Sequence, residues 1–233
     1  TNLNAQEIGE DAKRMADWKR LIGEKRWVGE KWIDRNPVWN ERKVKDMVQY
    51  GLVRLNRMQN DDGGWGWFSG WHERSWPHTT AVVVHGLLVA KRHDVAVVPD
   101  VLNNGVDWLK RYQTRQLQHL RNWEDKVQGA RKKQHCDNLD ALVYLVLVEA
   151  GQDNPEMAER LYRDRTHLSP YGMCLVVVGF HETGRREKRD MLIRNVSQFL
   201  VQDDENQTAY LRLPAGTRWW YWYGSDIETQ AWY

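Results

Sequence analysis

The chain has 233 residues, of which 28% are charged, and its formal net charge is +2. This length is enough for one domain with a sizeable core, and the near balance of charge gives no strong field to recruit nucleic acid or a membrane surface. The sequence contains no run of eighteen apolar residues, so it predicts no membrane span. Two cysteines without a CxxC spacing indicate neither a disulfide framework nor a zinc cluster.

The first part of the chain is highly charged. Residues 5–34 are rich in Lys, Glu, Arg and Ala, with apolar positions at roughly helical spacing, so we predict charged N-terminal helices within residues 1–36. Asn36-Pro37 ends them. From Asn40 to Met58 the apolar residues again keep helical spacing, which predicts a helix with one apolar face.

A polar glycine turn follows this helix at residues 59–65. Aspartate bonds its own backbone in turns, and the two glycines accept left-handed dihedrals without steric cost. The tryptophan adds a large ring, and the glutamine amide can bridge backbone groups at a helix end. We predict that these residues form a structural joint between helices and are not an active site: Gln59, Asp62, Gly63, Gly64 and Trp65.

The remaining sequence alternates between two kinds of helix. Residues 79–90, 139–150 and 171–180 are apolar nearly all round, whereas residues 101–112, 157–162 and 191–200 are apolar on one face only. A double ring of helices requires this alternation, because the inner ring is covered by the outer one. We therefore predict an all-α fold, an incomplete α/α toroid that forms a single domain over residues 1–233.

Two smaller elements are predicted near the end of the chain. Residues 208–213 and 218–223 alternate enough to form a short β hairpin, with residues 214–216 as its turn. Residues 225–228 read as a capping box that opens a further helix. Because a closed ring needs more hairpins than the four found here, we expect the natural chain to continue past Tyr233.

Three short motifs were candidates for chemistry. Asp137 and Asp140 stand one helical turn apart and could chelate magnesium, but such a pair at a helix start more often caps the helix. His135, Cys136 and Asp137 have the residue types of a zinc site without its spacing. The basic run of Lys126, Arg131, Lys132 and Lys133 is interpreted as a solvated helix face. The sequence thus predicts no catalytic residue, no metal and no cofactor.

Several segments together resemble one protein family. The Asp-Gly-Trp type of joint is shared by squalene-type cyclases, protein prenyltransferases and thioester domains. Residues 79–87, 105–110 and 226–232 resemble the "TAYVV-x-GL", "WLxxxQ" and "ETxAY" helices of bacterial alpha-2-macroglobulins. The likeness runs from about Pro37 to the end of the chain, and the order and spacing of the motifs favour the thioester domain of these proteins.

This resemblance implies a domain of a protease-trapping protein. In that family a Gly-Cys-(Gly or Val)-Glu-Gln motif forms a Cys-to-Gln thioester, and the domain shields or presents this acyl group. The motif is absent here, since Cys136 is followed by Asp-Asn and Cys174 by Leu-Val; a thioester of the parent protein would precede Thr1. The implied partners are other domains of a larger chain and target proteases, in an extracytoplasmic location. A cyclase-like or prenyltransferase-like enzyme and a helical interaction scaffold are the alternatives.

Overall fold

The computed structural model describes residues 25–29, 31–34, 41–68, 73–213 and 226–233. In these ranges the strands are β1 (Lys25–Val28), β2 (Lys31–Asp34), β3 (Leu200–Asp203) and β4 (Thr208–Leu211). The helices are α1 (Glu41–Met58), α2 (Pro77–Arg92), α3 (Pro99–Glu124), α4 (Asn138–Glu149), α5 (Pro155–Arg163), α6 (Pro170–Glu182), α7 (Arg186–Ser197) and α8 (Asp226–Trp232). Contacts group the chain into one unit of Thr1–Arg57 with Gln202–Ala209 and a second of Met58–Val201 with Tyr210–Tyr233.

The first unit contains a β hairpin where we predicted helix. Strands β1 and β2 pair antiparallel, with Trp27 opposite Trp32. The turn between them begins at Gly29, whose φ of 59° suits a tight hairpin turn. The charged background concealed this signal, and our helical prediction is wrong for residues 25–34. The part of the predicted N-terminal helices before residue 25 lies outside the described residues. Helix α1, which follows, has no buried residue.

The second unit contains the buried core. Helices α4 and α6 are buried nearly all round: every residue of α4 from Asp140 to Val148 is buried, and α6 buries a similar share. These two helices pack against each other, and α2, α3, α7 and α8 cover them. Helix α3 is buried on one face only. The predicted alternation of amphipathic and all-apolar helices is therefore observed, and the all-α fold with a small β hairpin is confirmed.

Local sequence signals define where these helices begin. Helices α2, α3, α5 and α6 each have a proline in the first turn, where its missing N–H would have no intrahelical partner anyway. The side chains of Asn154 and Ser169 accept hydrogen bonds from the backbone of α5 and α6, respectively. Asp137 accepts from the N–H groups of Leu139 and Asp140 and forms a capping box at α4.

The C-terminal β hairpin is present, but its pairing differs from our prediction. Strand β4 matches the first predicted strand, yet it pairs with β3, which precedes it. The connecting turn is closed by Asp203, which accepts hydrogen bonds from the backbone and side-chain nitrogens of Asn206 at 3.1 and 2.8 Å. The chain thus reverses direction before Pro214. Residues 214–216 and 218–223, our predicted turn and second strand, lie outside the described residues.

Candidate functional site

The five predicted joint residues lie together in the second unit, and Gln59 connects their turn to helix α3. Its Nε2 donates to the carbonyl oxygens of Gly63 and Val101, both at 2.9 Å. Within the turn, the Gly63 N–H donates to the Asn60 carbonyl at 2.8 Å, and the Asn60 N–H donates to the Gly64 carbonyl at 2.9 Å. One amide group therefore closes the turn and anchors it to the first turn of α3.

The Asp62 carboxylate is the acceptor at the centre of the joint. Oδ1 accepts from the Gly64 N–H at 3.0 Å and from the Ser75 Oγ at 2.6 Å, and Oδ2 accepts from the Trp108 Nε1 at 2.8 Å. Burial raises the pKa of this carboxyl, but these hydrogen bonds and the charge of Arg111 outweigh burial, so that the pKa of Asp62 is below its ordinary value. The carboxylate is thus held ionised as an acceptor.

Trp65 fills the space beneath the turn and is only 1% exposed. Its N–H donates to the Thr80 Oγ1 at 2.9 Å, and its carbonyl accepts from the Trp76 N–H at 2.8 Å. The ring lies against Gly105, where a Cβ would approach the Trp65 ring to 2.8 Å and the Val84 Cγ2 to 2.7 Å. The lack of a side chain at Gly105 makes room for the ring between α2 and α3.

Close approach requires both glycines of the joint, but a left-handed conformation is found only at Gly63 and not, as we predicted, at Gly64 as well. Gly63 has a φ of 89°, and a Cβ there would lie 2.7 Å from the backbone oxygen of Asn104. A Cβ at Gly64 would lie 2.6 Å from the Ser75 Cβ and 3.0 Å from the Trp108 ring. Both contacts are shorter than van der Waals contact, so the turn could not sit this close to α3 with larger residues.

This arrangement can fix a turn against α2 and α3. The Asp62 carboxylate receives three hydrogen bonds, and the Gln59 amide donates two. Both side chains therefore contribute to holding the turn in place.

The candidate metal ligands around residue 137 are held in structural interactions. Lys133 Nζ lies 2.6 Å from carboxylate oxygens of both Asp137 and Asp140. Burial raises the pKa of the Asp140 carboxyl, and burial also raises the pKa of the Cys136 thiol. The Cys136 N–H donates to the Asp164 Oδ2 at 2.9 Å. In the described part of the chain, no group of three or more His, Cys, Asp or Glu side chains could hold a metal ion.

A polar cavity of about 830 Å³ adjoins the joint and was missed by the sequence analysis. Asp62 of the joint and its hydrogen-bond partners Ser75 and Trp108 line this cavity. The cationic side chains that line it are Arg74, Arg111, Arg115, Arg131, Lys132 and Lys133. The basic run that we interpreted as a helix face lies instead in the segment between α3 and α4. Arg111, Arg115 and His119 stand one helical turn apart on α3. This spacing was the sequence signal that could have indicated the cationic wall of the cavity.

The fold and the joint together define an all-α helical array whose apolar helices are covered by amphipathic ones. No family model matches the chain. The chain is similar to the alpha-2-macroglobulin of Thermotoga maritima, with 32% identity over 69 residues, which are 30% of this chain and 4% of that protein.

Solved structures of bacterial alpha-2-macroglobulins share the fold of this chain. The native conformation of Escherichia coli alpha-2-macroglobulin is similar over 86% of this chain and 11% of that chain, with 18% identity and a TM-score of 0.56. The trypsin-activated E. coli protein is similar over 66% of this chain and 10% of that chain, with 20% identity and a TM-score of 0.53. The resemblance to bacterial alpha-2-macroglobulins is thus confirmed, and the chain spans about a tenth of the length of these proteins.

None of the described helices is both long and apolar enough to cross a bilayer.

Proposed function

We propose that this chain is a thioester-type domain of a bacterial alpha-2-macroglobulin-like protease-trapping protein and that it performs no catalysis itself. The proposal rests on one observation: the sequence and the fold of this chain are both similar to those of bacterial alpha-2-macroglobulins. One of the similar structures is the trypsin-activated form of the E. coli protein. We infer that activation by a protease is also the trigger for the protein that contains this chain.

The work of the domain is to shield or present a reactive acyl group supplied by another part of the polypeptide. Both cysteines are buried, neither is followed by Glu-Gln, and burial raises the pKa of Cys174 to about 11. A buried, protonated thiol is a poor nucleophile. The partners are then other domains of the parent chain and the attacking protease, and the location is extracytoplasmic.

In this proposal Gln59, Asp62, Gly63, Gly64 and Trp65 are the defining structural joint of the domain. Their contacts with α2 and α3 keep the turn and the helix starts in one arrangement. A domain that shields an acyl group needs such rigidity, because local opening would expose the group to water. An isoprenoid enzyme would instead need carboxylates that converge in an apolar cavity, whereas the 830 Å³ cavity is lined by six cationic side chains.

The experiment is labelling of the full-length polypeptide that contains residues 1–233 with isotopic methylamine, which attacks thioesters, together with titration of free thiols. We expect about one label and one newly released thiol per chain, with the label mapped outside residues 1–233. The isolated 233-residue chain is the control and should take up no label. If the full-length polypeptide gains neither label nor thiol, the acyl-shielding role is wrong.

A further inference from the structure

The polar cavity beside the joint has an excess of positive charge. Among the residues that the structure describes, the side chains of Arg74, Arg115, Arg131 and Lys132 form no ion pair. Lys133 is paired with two carboxylates, and the acids of the lining, Asp62 and Asp137, already accept hydrogen bonds in the joint and in the cap of α4. The six cations of the lining therefore outnumber its two carboxylates, and four of these cations form no ion pair within the described part of the chain.

Hydrogen bonds fix the segments that carry these cations. Arg111 and Arg115 are one turn apart on α3, and the Arg111 Nη2 donates to the Asp62 carbonyl at 2.6 Å. The loop that carries Arg131 is fixed to α3, because the Asn122 Nδ2 donates to the Arg131 carbonyl at 2.9 Å. Two sides of the cavity are thus set by backbone contacts before any ligand arrives.

A second sign of the positive field is His119, which also lines the cavity. Burial lowers the pKa of its imidazole, and the charges of Arg131, Lys133 and Arg115 lower it further. Three cations from two segments, α3 and the connection between α3 and α4, thus act on one imidazole.

Aromatic rings complete the wall. Trp108 and Tyr112 are stacked with their centroids 6.0 Å apart, and the Arg115 guanidinium lies 5.9 Å from the Trp108 ring and 6.0 Å from the Tyr112 ring. These cation–π contacts hold the Arg115 guanidinium beside two rings that also line the cavity, which reduces the entropy that the side chain would lose on binding.

We propose that this cavity binds a ligand with clustered phosphate groups, a di- or triphosphate that is either inorganic or part of a small organic molecule. Its volume of about 830 Å³ is that of a small-molecule site. Several cations that line one small space without ion pairs favour a ligand with several negative charges close together. Phosphates supply these, and guanidinium groups bind phosphate oxygens in pairs.

The test is calorimetric titration of the 233-residue chain with tripolyphosphate, with ATP and with tetraglutamate, at low and at physiological ionic strength. We expect the two phosphate ligands to bind, with an affinity that falls as salt rises. Tighter binding of ATP would identify an organic phosphate as the ligand, and equal binding would identify the phosphate groups alone. No phosphate binding, or equally tight binding of tetraglutamate, would overturn the proposal.

Variants locate the binding in the cavity. The double variant R115Q/R131Q removes two cations without ion pairs from two different segments of the cavity lining and should weaken tripolyphosphate binding about tenfold or more. The control R186Q/R194Q removes the same charge from exposed positions on α7 that do not line the cavity. All four arginines are exposed, so both variants should fold, which circular dichroism checks. An equal loss of affinity in both variants would contradict a defined site.

Discussion

Replacing Gly63 by alanine tests whether the joint depends on close approach of its backbone to helix α3. At a φ of 89°, an alanine costs about 1 to 2 kcal/mol. Its Cβ would also lie 2.7 Å from the Asn104 backbone oxygen. Helix α3 has little freedom to move away, because Gln59 and Asp62 bind it at Val101 and Trp108. Overpacking of this kind costs about 1 to 3 kcal/mol more.

We therefore expect Gly63→Ala to lower the free energy of unfolding by about 2 to 5 kcal/mol. The matched control is Gly151→Ala, because Gly151 has a φ of 74° and no atom within 4 Å of the added Cβ. It should lose only the conformational part, about 1 to 2 kcal/mol, and the effect of alanine on the unfolded chain is the same for both variants. Urea unfolding followed by tryptophan fluorescence measures both. Equal losses would refute the close-approach argument.

Three further predictions concern the joint and the thiols. Trp65→Ala should cost about 3 to 5 kcal/mol in urea unfolding, because a fully buried ring is removed; a loss below about 1 kcal/mol would show that the ring is not part of the core. Asp62→Asn should cost about 1 kcal/mol at pH 7, since its carboxylate is partly exposed. The folded pKa of Asp62 is lowered, so its stabilisation is present above the ordinary carboxyl pKa and is lost as pH falls through the folded value; the difference from wild type should shrink below about pH 4, and a difference independent of pH would contradict this. Cys136 and Cys174 should resist iodoacetamide at pH 8 until urea is added, because burial raises both thiol pKa values; rapid labelling of the folded chain would contradict their burial.

The helical part of the fold could be predicted from the sequence because burial leaves a direct mark on composition. Residues 139–150 and 171–180 are apolar on all sides, and only a covered helix tolerates that over such a length. Prolines in the first turn are a further local signal of the helix starts, which we did not use in the prediction. The two β hairpins were harder, since a four-residue strand has too few positions to show a pattern. At Gly29 the turn signal was present, but the surrounding charges favoured a helical interpretation.

The joint could be predicted only in part. The turn chemistry of residues 59–65 was readable because it is local. The partners of the turn were not, because Gln59 reaches Val101 and Asp62 reaches Trp108, which are 42 and 46 residues away. Ser75 and Thr80 likewise carry no local sign that they bind the turn. Such pairs depend on how α2 and α3 pack, which a sequence pattern does not contain.

The convergence of cationic side chains at the cavity could not be predicted from the sequence either. Arg131 and Lys132 were placed on a helix face, where each would be solvated separately. In the structure their segment folds back onto α3, where the Lys133 N–H donates to the His119 carbonyl at 3.0 Å, so cations from three segments face one space. Convergence of like charges depends on tertiary structure and is not visible in a local run.

The central claim, that the protein containing this chain traps proteases, is tested most directly by incubating the full-length polypeptide with trypsin and assaying two substrates. An enclosed protease still cleaves a small chromogenic peptide, because the peptide can enter the enclosure, but it cannot reach a large protein substrate. We predict that peptide cleavage persists while cleavage of casein is blocked. Loss of both activities would indicate simple active-site inhibition, and retention of both would show no trapping; either result would contradict the account.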